Sequence, residues 1–342
     1  MATIDDISVS VALCTYNGEQ YIGEQLRSIL HQTETPSEIV VSDDNSQDAT
    51  LLIVNETFER WRYLHRDAEI RLVVVRNDRA LGVTANFESA ASLCSGDLIA
   101  LSDQDDVWQP DRLAQGIARF REAPGVDLVF ADARLVDANG FSLGVSLFDA
   151  LEISPETVAE LRGPRALGRL LRRNLATGAT VMFRRNLLDR ARPFPSSWVH
   201  DEWLTLVAAA TGRLDVIEDQ LIDYRQHGRN AIGVKAPTLP YKIRRVLEPR
   251  LDRNRNLAEK FAVFATWAAN RRDLLEPSYS ELAEEKAAVE AFREALPAAR
   301  LARVPRIAVA IRKGWYNRFT SRGGLDVLRD LLQSHALPAI DQ

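Results

Sequence analysis

Residues 96–113 read GDLIALSDQDDVWQPDRL, and the order of residue types in them points to one class of fold. LIALS is a short apolar run, bounded by a Gly-Asp pair and an acidic cluster, and reads as a buried strand over 98–102. Pro110 then favours a helix start, and a helix follows over 111–122. A strand, an acidic loop and a helix form the repeating unit of an open α/β sheet, in which ligands gather at the carboxyl ends of the strands. The same alternation extends upstream. Strands are expected over 8–14 (SVSVALC), 39–42 and 71–75. Helices are expected over 19–31, where Tyr21, Ile22, Leu26, Ile29 and Leu30 recur at helical spacing, over 49–61 with Ser46 or Asp48 as cap, and over 83–93. This rhythm predicts a mostly parallel, Rossmann-like sheet with helices on both faces.

Downstream the pattern loosens. A strand over 126–136 meets the Asn139-Gly140 turn and a second extended segment. Residues 154–173 hold Pro155, Gly163 and Pro164 and then a basic helix. Another strand covers 178–183, a helix 201–210, and two short strands, 214–217 and 221–224, form a closing pair. Antiparallel strands are thus expected to complete the sheet. From Pro240 the signal is helical: Ile243, Leu247, Leu251, Ala258, Phe261, Ala265 and Ala268 space like one face of a long helix, and a charged helix follows over 281–296. Residues 300–322 carry seven basic residues and no acid, interleaved with Ile307, Val309, Ile311, Trp315, Tyr316 and Phe319. A boundary near 232–240 divides an α/β domain, 1–234, from a helical C-terminal region, 235–342, fit for acceptor, membrane-surface or oligomer contacts.

The 342 residues are 46% hydrophobic and 27% charged, with a formal net charge of −5, which is globular composition. No run is long and apolar enough to span a bilayer, and MATIDDISVSVALC lacks a basic leader, so a cytoplasmic protein is expected. Cys14 and Cys94 suit two reduced, buried thiols. Residues 1–234 carry 23 Lys/Arg against 35 Asp/Glu and residues 235–342 carry 20 against 13, net −12 and +7. The acidic front argues against a nucleic-acid groove, and the basic, aromatic 300–322 stretch suggests peripheral contact with a membrane surface, against a solvated or packed helix face.

Three acidic clusters each follow a predicted strand: Asp43-Asp44, the Asp103-Gln104-Asp105-Asp106 run, and Asp201-Glu202 after His200. Carboxylates gathered on one sheet edge repel unless a cation lies between them, and oxygen donors suit Mg²⁺ or Mn²⁺, which often completes its shell with substrate phosphates. Alternation along an extended chain points Asp103 and Asp105 one way and Gln104 the other. Trp108 is expected to pack. No G-x-G-x-x-G or G-x-x-x-x-G-K-[ST] loop is present, which argues against a dehydrogenase or a P-loop enzyme.

Taken in order, VALCTYNGEQYIGEQLRSILHQT, EIVVSDDNSQDAT, LGVTANF, GDLIALSDQDDVWQPDRL, ATGATVMFRR, HDEWLTLVAAATG and LIDYRQHGRN resemble the family 2 glycosyltransferases over about residues 8–232. These are inverting enzymes of the GT-A nucleotide-diphospho-sugar transferase fold. The SDQDDVW, HDEW and YRQHG forms are similar to the bacterial rhamnosyltransferase-like branch. The resemblance implies that Thr15, Tyr16, Asn17 and Glu19 line a nucleotide pocket, that Asp43 or Asp44 reads the base, and that Asp103 sits by the ribose and Asp105 on a divalent metal. It implies Asp201 as general base, with His200 and Glu202 beside it and Glu202 a rival for the role, and it makes Arg225 and His227 candidate diphosphate or metal contacts. The implied reaction moves a sugar, L-rhamnose from dTDP-L-rhamnose in the leading version, to a hydroxyl of a growing cell-surface polysaccharide or a polyprenol-linked saccharide. Oligomeric state is open. The rival readings are a silent sugar-nucleotide-binding or scaffold subunit and a nucleotidyltransferase; the latter normally needs a Gly-rich triphosphate loop that LCTYNG does not supply.

Overall fold

The computed structural model of the chain describes residues 7–227 and 252–333. Four strands run parallel in the order β3-β2-β1-β4: β1 (Val9–Thr15), β2 (Glu38–Asp43), β3 (Arg71–Arg76) and β4 (Leu98–Ser102). β1, β2 and β4 are buried along their whole length, as parallel strands covered on both faces must be. Their crossovers are α1 (Ile22–Leu30), α2 (Thr50–Leu64) and α3 (Val83–Leu93), and α4 (Arg112–Glu122) follows β4. All the parallel strands therefore deliver their carboxyl ends, and the loops after Thr15, Asp43 and Ser102, to one edge.

Five more strands, among the described residues, finish the sheet: β5 (Val107–Trp108), β6 (Leu128–Val136), β7 (Ser142–Ser146), β8 (Val181–Arg184) and β9 (Leu214–Arg225). β8 pairs antiparallel with both β4 and β6, β9 runs parallel to β6, and β5 pairs antiparallel with the far end of β9. This fold is the mixed α/β arrangement expected, with two local differences. The 214–217 and 221–224 segments are one continuous strand, not a pair: the register against β6 slips between Ala131 and Asp132, and the exposed Glu218 and Asp219 bulge out before Gln220 pairs with Asp132, without turning the chain. Residues Gly178–Thr180 form a 3-10 turn before β8 rather than its first residues.

The chain divides into two compact units. The first takes the described residues up to Gly163 and from Leu175 to His227, including the short helices α5 (Leu147–Ala150) and α6 (Pro155–Leu161). The second joins Pro164–Asn174, which carries α7 (Ala166–Leu170), to the C-terminal helices. The first unit is completed by α8 (Leu187–Ala191) and α9 (His200–Thr211). In the second unit, α10 (Arg253–Ala269), α11 (Pro277–Glu294), α12 (Arg300–Arg312), α13 (Trp315–Phe319) and α14 (Gly324–Leu332) enclose a charged interior. Lys286 and Arg293 both pair with Glu290, and Arg293 with Asp330. The expected helix face at Ile243, Leu247 and Leu251 lies outside the described residues.

One side of the basic 300–322 stretch packs inward, while Leu301, Val304, Val309 and Ile311 are at least half exposed. Tyr316 and Phe319 are 3% and 1% exposed, Ile307 is buried, and the buried Arg303 donates to the Pro297 and Ala298 carbonyls. The aromatic half of the interfacial mixture thus faces this unit's own core. Among the described residues no helix is long and apolar enough to cross a membrane.

Candidate active site

The loop after β1 is fastened to the loop after β2. Thr15 Oγ1 donates to Asp43 Oδ1 (2.8 Å), the Asn17 N–H to Ser46 Oγ (2.8 Å), and the Gly18 N–H to Thr50 Oγ1 (2.7 Å). Asn17 takes the left-handed conformation (φ 47°), which asparagine tolerates, and its Oδ1 accepts the Gln47 N–H. Glu19 Oε2 accepts the Ala49 N–H, and Asp48 accepts from both the N–H and the hydroxyl of Thr50. The N-cap of α2 is Ala49, with no side-chain cap bond of its own; Asp48 takes the N–H of Thr50, the first helical residue, and Ser46 turns to Asp43. Of the four residues expected to line the nucleotide pocket, Thr15, Asn17 and Glu19 are loop fasteners. Tyr16, 54% exposed, is the one that offers a free aromatic surface.

Asp43 and Asp44 both already accept three hydrogen bonds. Asp43 takes Thr15 Oγ1, Ser46 Oγ and the Ser46 N–H; Asp44 takes Asn77 Nδ2 and the N–H groups of Leu81 and Gly82. A carboxylate has about four acceptor positions, so each retains about one. Asp43 is 0% exposed and Asp44 5%.

Gln104 does not point away from the site. Its Oε1 accepts the Tyr16 N–H (2.8 Å) and its Nε2 donates to the Tyr16 carbonyl (3.0 Å), which clips the β4 loop to the β1 loop. The clip explains Gly18: a Cβ there would lie 2.1 Å from Gln104 Oε1.

Behind this edge, Asp103, Asp105, Asp106 and Asp201 converge. Burial pushes the Tyr224 phenol up, and the charges of all four carboxylates add to that, so all four act on one point. Burial pushes Asp103 up to about 7, with Asp105 and Asp201 contributing and Arg112 opposing. Asp106 is raised as well, by burial and then by Asp105 and Asp103. Negative charge therefore exceeds its local compensation, the condition under which a cation is welcome.

Asp105 Oδ2 lies 2.9 Å from His227 Nε2, and the His227 ring stacks on Tyr21 at 5.1 Å between centroids. Arg225 is spent elsewhere. Its backbone N–H donates to Asp106 Oδ1, Nε to the Asp105 carbonyl (2.8 Å), Nη1 to the Ala138 carbonyl and Nη2 to Glu24. With each guanidinium nitrogen so engaged, Arg225 braces the acidic loop. Among the described residues no three His, Cys, Asp or Glu side chains form a ready metal cage. An Asp–His pair beside surplus negative charge fits a divalent ion that draws its remaining ligands from phosphates and water.

At the start of α9, Asp201 Oδ2 accepts the Gly178 N–H (2.9 Å) and Oδ1 the N–H of Glu202 (2.6 Å). These bonds orient the carboxylate while its charge still reaches Asp103. His200 turns the other way. It lies on Phe87 with 3.8 Å between ring centroids, and neither ring nitrogen has a hydrogen-bond partner. A Cβ on Gly178 would sit 2.7 Å from His200 Nε2, so this packing requires glycine there. His200 packs the start of α9 against α3.

Burial lowers the His200 pKa to about 3. The unfolded chain takes up a proton below about pH 6.5 and the folded chain does not, so stability falls as pH drops from 6.5 toward 3. Between pH 6.5 and 4.5 that loss is about 2–3 kcal/mol at 1.36 kcal/mol per unit. In urea titrations at pH 7 and 4.5, His200→Phe should narrow the stability difference by about that amount; an unchanged difference would refute the assignment.

Against known proteins, the profile of glycosyl transferase family 2 matches residues 10–188, more than half of the chain. The Escherichia coli UDP-Glc:alpha-D-GlcNAc-diphosphoundecaprenol beta-1,3-glucosyltransferase WfgD is 27% identical over 209 residues, 60% of this chain and 71% of its own. Staphylococcus aureus TarS 1–349, solved with UDP-GlcNAc, superposes with a TM-score of 0.51 at 19% identity, covering 98% of this chain and 95% of that one. The mannosyltransferase PcManGT of Pyrobaculum calidifontis, solved with GDP-Man and Mn²⁺, gives 0.50 at 23% identity, covering 94% and 86%. Both structures share the GT-A architecture. The chain spans about three-fifths of the length of the curated mycobacterial relatives it matches, at 28% identity over 222 residues. With the ordered motifs, the sheet and the profile in agreement, this chain belongs to glycosyl transferase family 2.

Proposed function

We propose that the protein is an inverting glycosyltransferase that moves a sugar from a nucleoside-diphosphate donor to an acceptor hydroxyl, with Asp201 as general base. The observation that carries this reading is that the charges of Asp103, Asp105 and Asp201 all bear on the Tyr224 phenol, while Asp105 lies 2.9 Å from His227 and Asp201 is held by the Gly178 N–H. Tyr16 offers its ring to the base, and Asp44, the more exposed of the acidic pair, takes the base N–H. Asp103 receives the ribose. Asp201 removes the acceptor proton as the oxygen attacks the anomeric carbon from the face opposite the leaving diphosphate, which inverts the centre. The N–H groups of Gly178 and Glu202 hold the Asp201 carboxylate in place. Asp105 and His227 would hold a divalent metal, which would supply positive charge against that growing on the diphosphate.

L-Rhamnose from dTDP-L-rhamnose is the first donor to test, on the strength of the HDEW and YRQHG forms. WfgD's name, with its UDP-sugar and diphosphoundecaprenol acceptor, supports a nucleotide sugar and a lipid-linked saccharide as the classes. The test supplies dTDP-L-rhamnose, UDP-glucose or UDP-GlcNAc with a polyprenyl-diphosphate-linked saccharide and Mn²⁺, and follows nucleoside-diphosphate release and the anomeric configuration of the product by NMR. Release with inversion is expected. A product of retained configuration, or no release with any donor, would contradict the reading.

Tyr21 belongs to the same proposal, because its ring fixes the orientation of His227. In Tyr21→Leu the Mn²⁺ concentration for half-maximal donor binding should rise about 10-fold, the scale of a lost support to a metal ligand. An unchanged midpoint would show that the stack does not matter.

A further inference from the structure

Beneath the carboxylates lies a cation to which the roles above give no task. Arg112, the first residue of α4, is buried with its guanidinium over the Trp108 indole, Cζ 3.5 Å from the ring centroid. Its Nη2 donates to two carbonyls, Leu101 (3.0 Å) and Ala179 (2.7 Å). Leu101 lies on β4 two residues before Asp103. Ala179 follows Gly178, whose N–H aims Asp201.

The ladder between β4 and β8 explains why such a link is needed. It runs from Leu98–Arg184 to Ala100–Met182 and stops there. Beyond it, Leu101 and Ser102 of β4 pair with β1 alone and the segment before β8 is in its 3-10 turn, so no strand pairing holds the two together. Arg112 bridges them where the pairing ends. A buried guanidinium is a costly way to close a gap, since desolvating a charge costs several kcal/mol. An apolar side chain would fill the volume without that cost. The charge is also placed to act, because it opposes those of Asp103 and Asp106, while Arg112 Nη1 and Asp106 Oδ2 remain buried without hydrogen-bond partners.

The geometry points to Arg112 as a positioning residue for the transfer: a buried clamp between Leu101 and Ala179 that holds the donor-side loop, Asp103–Asp106, in register with the base Asp201. This inference rests on the proposed function. It concerns alignment of two half-sites, each of which keeps its own groups when the clamp is removed. A displacement of about 1 Å between reacting groups costs on the order of 100-fold in rate.

The experiment uses the full-length protein with Arg112→Met and Arg112→Lys, a folding check by thermal melting, the affinity for UDP and dTDP with Mn²⁺ by calorimetry, and kcat with the best donor. In Arg112→Met, kcat should fall about 100-fold while nucleotide affinity stays within about threefold. Arg112→Lys, which keeps the charge and one donor group, should recover part of kcat. Three results would overturn the inference: full kcat in a folded variant, affinity lost in step with kcat, or loss of the cooperative fold in both variants, which would make Arg112 a core-stabilising group. The proposed function fails separately. If wild-type protein transfers no sugar, or Asp201→Asn transfers normally, the reaction assignment falls whatever Arg112 does.

Discussion

Asp201→Asn is expected to lower kcat by about 10²–10⁴-fold, the usual contribution of a positioned general base. Nucleotide affinity should stay within about threefold, because the carboxamide keeps the size of the side chain and donor binding uses the other edge of the site. The geometry favours Asp201 over Glu202. Asp201 is buried, its oxygens are fixed by the N–H groups of Gly178 and Glu202, and its charge acts on Asp103. Glu202→Gln should therefore change kcat by less than about threefold. Steady-state kinetics on both variants checks this, and the opposite pattern would transfer the base to Glu202.

The second large effect is expected at Asp105. A metal neutralising a leaving diphosphate contributes several kcal/mol to the transition state, or roughly 10²–10³-fold in rate. Asp105→Asn removes the charged partner of His227 and should lower kcat/KM by that amount and abolish the Mn²⁺ dependence of donor binding. Metal-dependent binding that survives in Asp105→Asn would move the ion elsewhere in the cluster. EDTA added to the wild-type protein should reproduce the variant's rate, and Mn²⁺ in excess should restore only the wild type.

Where local pattern is enough, the fold was legible in the sequence. LIALS and the 83–93 helix have the bounds that their composition indicates, and the short apolar runs VALC and IVV mark the buried parallel strands β1 and β2. The 214–225 strand was misread as two because Glu218-Asp219-Gln220 looks like a turn, and only pairing with β6 converts it into a bulge. The candidate site divides along the same line. Carboxylates after strands announce themselves by position. Gln104, Tyr21 and Arg112 act through partners 88, 206 and 67 positions away, and no spacing rule reports such distances. Arg225 likewise has partners that no spacing reports, the Asp105 carbonyl and Glu24.

Calorimetric titration with dTDP and UDP, each with and without Mn²⁺, on the wild-type protein and on Asp105→Asn tests the central claim most directly. The account predicts binding of at least one nucleotide that depends on Mn²⁺ in the wild type and loses that dependence in the variant. Failure of the wild type to bind either nucleotide in the presence of Mn²⁺ would contradict it.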